Sequence, residues 1–134
     1  RALGDVTGAV EAFNAARGIC ERAGSLETPD GTLILLNLGT TLRMQGDFAG
    51  SVEAYERAKS IRQQIGMIGT PDDVHLCISM GVAAFAHGDL DRAMDFYVEA
   101  RRARDLIGMP ETPEGAQLLS KIGVAKTQGL RHDR

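Results

Sequence analysis

The residues whose types could carry chemistry are few, and their spacing is poor for it. His75 and His87 could ligate a metal, but they stand twelve positions apart with no second ligand pair beside them, whereas zinc sites use closely spaced pairs. His87, next to Gly88, is placed to meet the negative end of a helix. Cys20 and Cys77 lie 57 positions apart, which is no metal or redox spacing, and they read as small hydrophobes. Gly88-Asp89-Leu90-Asp91 lacks the remaining oxygen ligands of a calcium loop. Arg101, Arg102 and Arg104, broken by Asp105, read as a solvated helix face, with an acidic docking patch as the alternative. No phosphate-binding glycine loop, zinc motif or nucleophile elbow occurs. The expectation is a non-enzyme that needs no cofactor and no metal.

Composition narrows the class further. At 134 residues the chain is one domain or a segment of a longer array, and 43% hydrophobic residues suit a folded chain. A net charge of −3 and a pI near 5.6 argue against a general nucleic-acid binder. No apolar run approaches the roughly 18 residues of a membrane span, and no signal peptide is evident. With two cysteines and no leader, the expected setting is intracellular, in the cytoplasm.

The elements that would position any site repeat at a 42-residue step. Gly-Asp falls at 4, 46 and 88, Thr-Pro at 28, 70 and 112, and glycine at 24, 66 and 108 and again at 39, 81 and 123. Such a period signals stacked units. Each unit reads as helix-turn-helix. Thr28 caps a helix with Pro29 at its first position and Asp30 against the dipole. That helix ends at Gly46, Asp47 caps its partner to Ile65, and Glu53 and Arg57 form an i,i+4 pair on it. Thr70-Pro71-Asp72 and Gly88-Asp89 repeat the plan, and Thr112-Pro113-Glu114 opens a last helix to about Gln128. Ahead of these, Asp5 is expected to cap a helix running to about Ala23. Six helices and no strand result. The boundaries are a partial unit 1–27, units 28–69 and 70–111, and a partial unit 112–134. Both ends would leave an apolar helix face without its neighbour. The expectation is a fragment of a longer protein, and the alternative a small protein whose ends partners cover.

Leu35, Leu38, Gly39 and Leu42 in a first helix, then Ser51, Tyr55 and Ala58 in a second, resemble the tetratricopeptide pattern. Cys77, Met80, Gly81 and Ala84, then Ala93, Tyr97 and Ala100, match it again. Ala9, Phe13 and Ala16 match its second half, and Leu119, Ile122 and Gly123 its first. The resemblance implies an all-α fold, an α-solenoid in which antiparallel helix pairs stack into a right-handed superhelix. Gly39, Gly81 and Gly123 would let helices approach closely, and Tyr55 and Tyr97 would fill the space between neighbouring units. The step exceeds the usual one of about 34 by roughly two helical turns, expected to lengthen the second helix. Long units with Pro-Asp openings look like the kinesin light chain type. Of that type's Leu-Asn-Asn-Leu run, which can bond a peptide backbone, only Asn37 is present, within Leu35-Leu36-Asn37-Leu38.

Stacking would put first helices on a concave side. With Leu35, Leu38 and Leu42 turned to the core, the opposite face of the first full unit presents Leu33, Leu36, Asn37, Thr40, Arg43 and Met44. The next unit presents His75, Ile78, Ser79, Val82, Phe85 and Ala86, and the last Gln117, Ser120, Lys121, Val124, Thr127 and Gln128. No acidic residue occurs beyond the first turn of these helices, while Arg43 and Lys121 are present. The groove is thus expected to be apolar and weakly basic, taking a protein segment or partner helix that is hydrophobic with some acidic groups. The competing expectation is that curvature buries these residues between units. The function predicted is a protein–protein interaction scaffold or adaptor. A structural subunit of a large assembly and a regulatory module of a larger enzyme are the alternatives.

Overall fold

Among the described residues, three α-helices precede and three follow the Thr-Pro loop that ends at Thr70. The computed structural model describes residues 2–132, and the side chains of 4–130. Among the described residues there are six helices and no strand: α1 (Ala2–Ala23), α2 (Pro29–Gln45), α3 (Phe48–Gln64), α4 (Pro71–His87), α5 (Leu90–Ile107) and α6 (Pro113–His132). They form two compact units, Arg1–Ile68 with α1 to α3 and Gly69–Arg134 with α4 to α6. In the first, α2 packs on both α1 and α3; in the second, α5 packs on both α4 and α6.

The repeated residues act alike in the two hairpins. Gly46 and Gly88 end their helices at φ 93° and 92°, where a Cβ would be strained and glycine is not. Asp47 then accepts from the Gly50 amide at 2.9 Å and Asp89 from the Arg92 amide at 3.2 Å, so one helix starts where the other stops. The Thr-Pro openings also hold. Thr28 Oγ1 accepts from the Gly31 amide at 3.0 Å, and Asp73 reaches back to accept from the Thr70 amide at 3.1 Å.

Gly39 and Gly81 set how closely each hairpin closes. A Cβ at Gly39 would stand 2.7 Å from Tyr55 Cδ1, and one at Gly81 would stand 2.6 Å from Tyr97 Cδ1. The tyrosines thus fill the space inside each hairpin. Ser51 adds a buried bond, donating to the Gly39 carbonyl at 2.7 Å. Around these contacts the first unit closes two apolar clusters. Leu26, Leu35, Ala58 and Ile61 form one, and Val10, Leu38 and Ala54 the other, with Phe13 and Leu42 against it. The second unit buries Val74, Cys77, Met80, Ala84, Ala93, Tyr97, Ala100, Leu118 and Ile122.

Four expectations need correction. Helix α1 starts at Ala2 and runs through Gly4, so Asp5 lies in its first turn and is not the cap. At 46 and 88 a preceding helix of the same hairpin fixes the glycine turn, and only two described residues precede Gly4. Helix α6 continues past Gln128 to His132. The long repeat does not lengthen the second helix alone: α2 and α3 both have 17 residues, and α4 and α5 have 17 and 18. At the end of the series, Leu119 is 44% exposed, and nothing stands within 4 Å of a Cβ at Gly123. No second helix follows α6 among the described residues to cover them.

Candidate functional site

The second unit contains a cavity of about 350 Å³, near the lower end of the usual range for ligand pockets. Val82 and Phe85 line it from α4, and Gln117, Ser120, Lys121 and Val124 from α6. Tyr97 of α5 completes the lining. The spacing of each set explains its convergence. Val82 and Phe85 are three apart, and Gln117, Ser120, Lys121 and Val124 fall at steps of three and one, which puts each set on one helix face. On the same two helices Ala84, Leu118 and Ala125 are buried, as are Ala93 and Ala100 of α5.

The lining combines apolar Val82, Phe85 and Val124 with polar Gln117, Ser120, Lys121 and Tyr97. Lys121, half-buried, supplies the cation, and beyond Glu114 in its first turn α6 carries no acidic residue. Tyr97 supplies a hydroxyl, and burial raises its pKa above the usual 10.0, so it stays protonated and able to donate at neutral pH. Its counterpart in the first unit, Tyr55, bonds Thr40 Oγ1 at 2.9 Å. At the Thr40 position the second unit has Val82, which offers no such partner. The cavity can therefore take an apolar group and offer a hydrogen bond and a positive charge at its edge.

The other residues expected on this face lie elsewhere. Ile78 and Ser79 are half-buried on α4. His75, nearer the start of α4, is exposed and lies 3.6 Å from Glu114. In the first unit Leu33 and Met44 are 56% and 59% exposed, and Asn37 is exposed. Thr40 and Arg43 are half-buried, and Leu36 leans on the Leu26–Leu35–Ala58–Ile61 cluster. None of the fifteen residues expected to bind is fully buried. The first unit has its own cavity of about 240 Å³, lined from α1 and α3 by Arg17, Glu21, Glu53 and Arg57 over Leu35 and Ala54.

Two features escaped the sequence reading. Tyr97 was placed as core filler, and the change from Thr40 to Val82 one step on was the available signal. Arg104 was placed on a solvated face, yet it is 6% exposed while Arg101 and Arg102 are exposed. It donates to the Pro110 carbonyl at 2.9 Å and to Thr112 Oγ1 at 3.3 Å, and pairs with Glu114 at 3.6 Å. Arg62, one step earlier and equally buried, was the clue. Neither cysteine is in a disulfide; Cys77 is buried and Cys20 half-buried. Among the described residues no group of three or more His, Cys, Asp and Glu could hold a metal ion, and no helix is long and apolar enough to cross a membrane.

Residues 31–106 match the family model described as tetratricopeptide repeat. No curated protein matches the chain. The matched span runs from the first turn of α2 almost to the end of α5 and so takes in nearly all of both hairpins.

Proposed function

The chain belongs to the tetratricopeptide repeat family, and on that premise we propose that it is a non-catalytic scaffold holding a protein segment on its first-helix faces. Repeats of this family are interaction modules, and the fold alone does not choose the partner. The observation that supports a site in the second unit is the cavity of Val82, Phe85, Tyr97 and Val124 edged by Lys121. An extended or helical segment would set one large apolar side chain in that cavity, accept a hydrogen bond from Tyr97, and bring a carboxylate to Lys121. On the second unit His75, Ile78 and Ser79 would add contacts, and on the first unit, taken by itself, Leu33, Leu36, Asn37, Thr40, Arg43 and Met44 would offer a contact face of their own. The partner is hydrophobic with some acidic groups, is neither nucleic acid nor membrane, and is met inside the cell. The two full 42-residue units would serve as part of a longer scaffold.

The test starts with a peptide library displaying apolar and acidic positions, selected on the chain. Affinity of a selected peptide is then measured by fluorescence polarisation. Val82→Ser with Val124→Ser should weaken it at least tenfold, because one apolar anchor carries a large share of such binding. Lys121→Glu should weaken it further as salt is lowered, through repulsion of the acidic group. Unchanged affinity in both variants, with helix content preserved, would end the proposal.

A further inference from the structure

The cavity of the second unit is larger than one peptide side chain needs, and its polar groups lack partners. A space of about 150 Å³ already admits benzene. This cavity measures about 350 Å³, so a single aromatic ring would leave about half of it unfilled. Tyr97 is 3% exposed, yet its hydroxyl meets no acceptor among the described residues. Tyr55 shows what is missing. Its ring lies against Gly39 as that of Tyr97 lies against Gly81, and Thr40 takes its hydroxyl at 2.9 Å. The same placement carries the Tyr97 hydroxyl to Val82, a lining residue with no polar atom in its side chain. A buried hydroxyl left without a partner is costly. Lys121 is the one cation of the lining, with no carboxylate beside it there. Neither Leu119 nor Gly123 lines the cavity, so α4, α5 and α6 make it by themselves.

We propose that this cavity binds a free small molecule, a compact aromatic carboxylate of two fused rings that carries an oxygen at the end away from the acid. The rings lie against Val82, Phe85 and Val124, and two of them suit a space more than twice the one that benzene fills. The far oxygen accepts from the Tyr97 hydroxyl, and the carboxylate pairs with Lys121. A molecule seated there takes the place of a peptide's anchor. Bound acid and bound segment therefore exclude each other, and the acid regulates the scaffold. That competition rests on the scaffold reading, whereas the binding of the acid does not.

The probe is 6-hydroxy-2-naphthoate, titrated into the isotope-labelled chain by NMR and into the unlabelled chain by calorimetry. It should saturate one site per chain and shift Val82, Tyr97, Lys121 and Val124. Without the far oxygen, 2-naphthoate should bind at least fivefold more weakly. Without the acid, 2-naphthol should bind at least tenfold more weakly. Val82→Thr gives Tyr97 the partner that Tyr55 has, and should bring the ratio of affinities for the hydroxylated and plain acids close to one. Lys121→Met should do the same for the ratio of acid to naphthol. Circular dichroism checks that both variants fold. The acid should also displace a library-selected peptide. No binding at millimolar probe, equal affinity for all three probes, or a preference for the hydroxylated acid that survives Val82→Thr overturns the proposal. Simultaneous binding of acid and peptide overturns the competition. A chain that binds peptide and no acid keeps the scaffold reading and loses this one, and a chain that binds the acid and no peptide does the reverse.

Discussion

Gly81→Ala and Gly123→Ala should change stability in opposite directions, although the two glycines occupy the same place in the repeat. At Gly81 the new methyl would come within 2.6 Å of Tyr97 Cδ1 and 3.1 Å of Cζ. Those atoms belong to a rigid ring that is 3% exposed, so no flexible tip can swing aside and α4 and α5 must part. Overpacking of this kind costs about 1–3 kcal/mol, and the gain from replacing a helical glycine by alanine is about 1 kcal/mol. With a ring as the obstacle the upper half of the first range applies, and the net loss is about 1–2 kcal/mol. That corresponds to a fall in Tm of roughly 3–8 °C. At Gly123 the methyl meets nothing within 4 Å. Only the propensity gain is left, and the variant should be more stable by about 0.4–1 kcal/mol. Urea titrations followed by helix ellipticity, at a concentration where the chain is monomeric, give both values, and the slope against urea should stay constant. A Gly81→Ala protein as stable as wild type would refute the reasoning from close helix approach. So would equal damage at both positions.

Three further outcomes follow from the same structure. Thr28→Ala removes the acceptor of the Gly31 amide and should cost about 0.5–2 kcal/mol by the same titration. Arg104→Met leaves the Pro110 carbonyl and Glu114 without their cation and should cost about 1–3 kcal/mol, whereas exposed Arg101→Met should stay within about 0.5 kcal/mol of wild type. Burial raises the Tyr97 pKa above 10.0, so its contribution is whole below that pH. It is lost as pH rises through the folded value, because the unfolded chain releases the proton first. Urea midpoints at alkaline pH should therefore fall, and Tyr97→Phe should flatten that fall.

Much of the architecture was legible because the repeat writes its punctuation in residues with few other uses. Thr28-Pro29 and Gly46-Asp47 mark a start and a reversal by their own backbone chemistry, and the same pairs one step on gave α4 and α5. Six of the residues that line the second unit's cavity were legible from helical spacing alone. The sequence states a residue's place within a unit, but not whether the helix that should cover it is there. Leu119, Gly123 and Ile19 carry core identities in uncovered positions for that reason, and Gly4-Asp5 carries turn identities inside a continuous helix. Arg104 was misplaced because a charged side chain folds inward only when a loop offers carbonyl and hydroxyl acceptors, and Pro110 and Thr112 do so through a turn that spacing does not describe. Tyr97 became visible as a lining residue only through contrast with Tyr55 and Thr40.

The most direct measurement of the binding site is a titration of isotope-labelled chain with a library-selected peptide of apolar and acidic residues, followed by NMR. Shifts should concentrate at Val82, Phe85, Tyr97, Lys121 and Val124 and saturate with the affinity found by polarisation. Shifts confined to the outer face of α5, at Arg101 and Arg102, with those five residues unmoved, would contradict a site between α4 and α6.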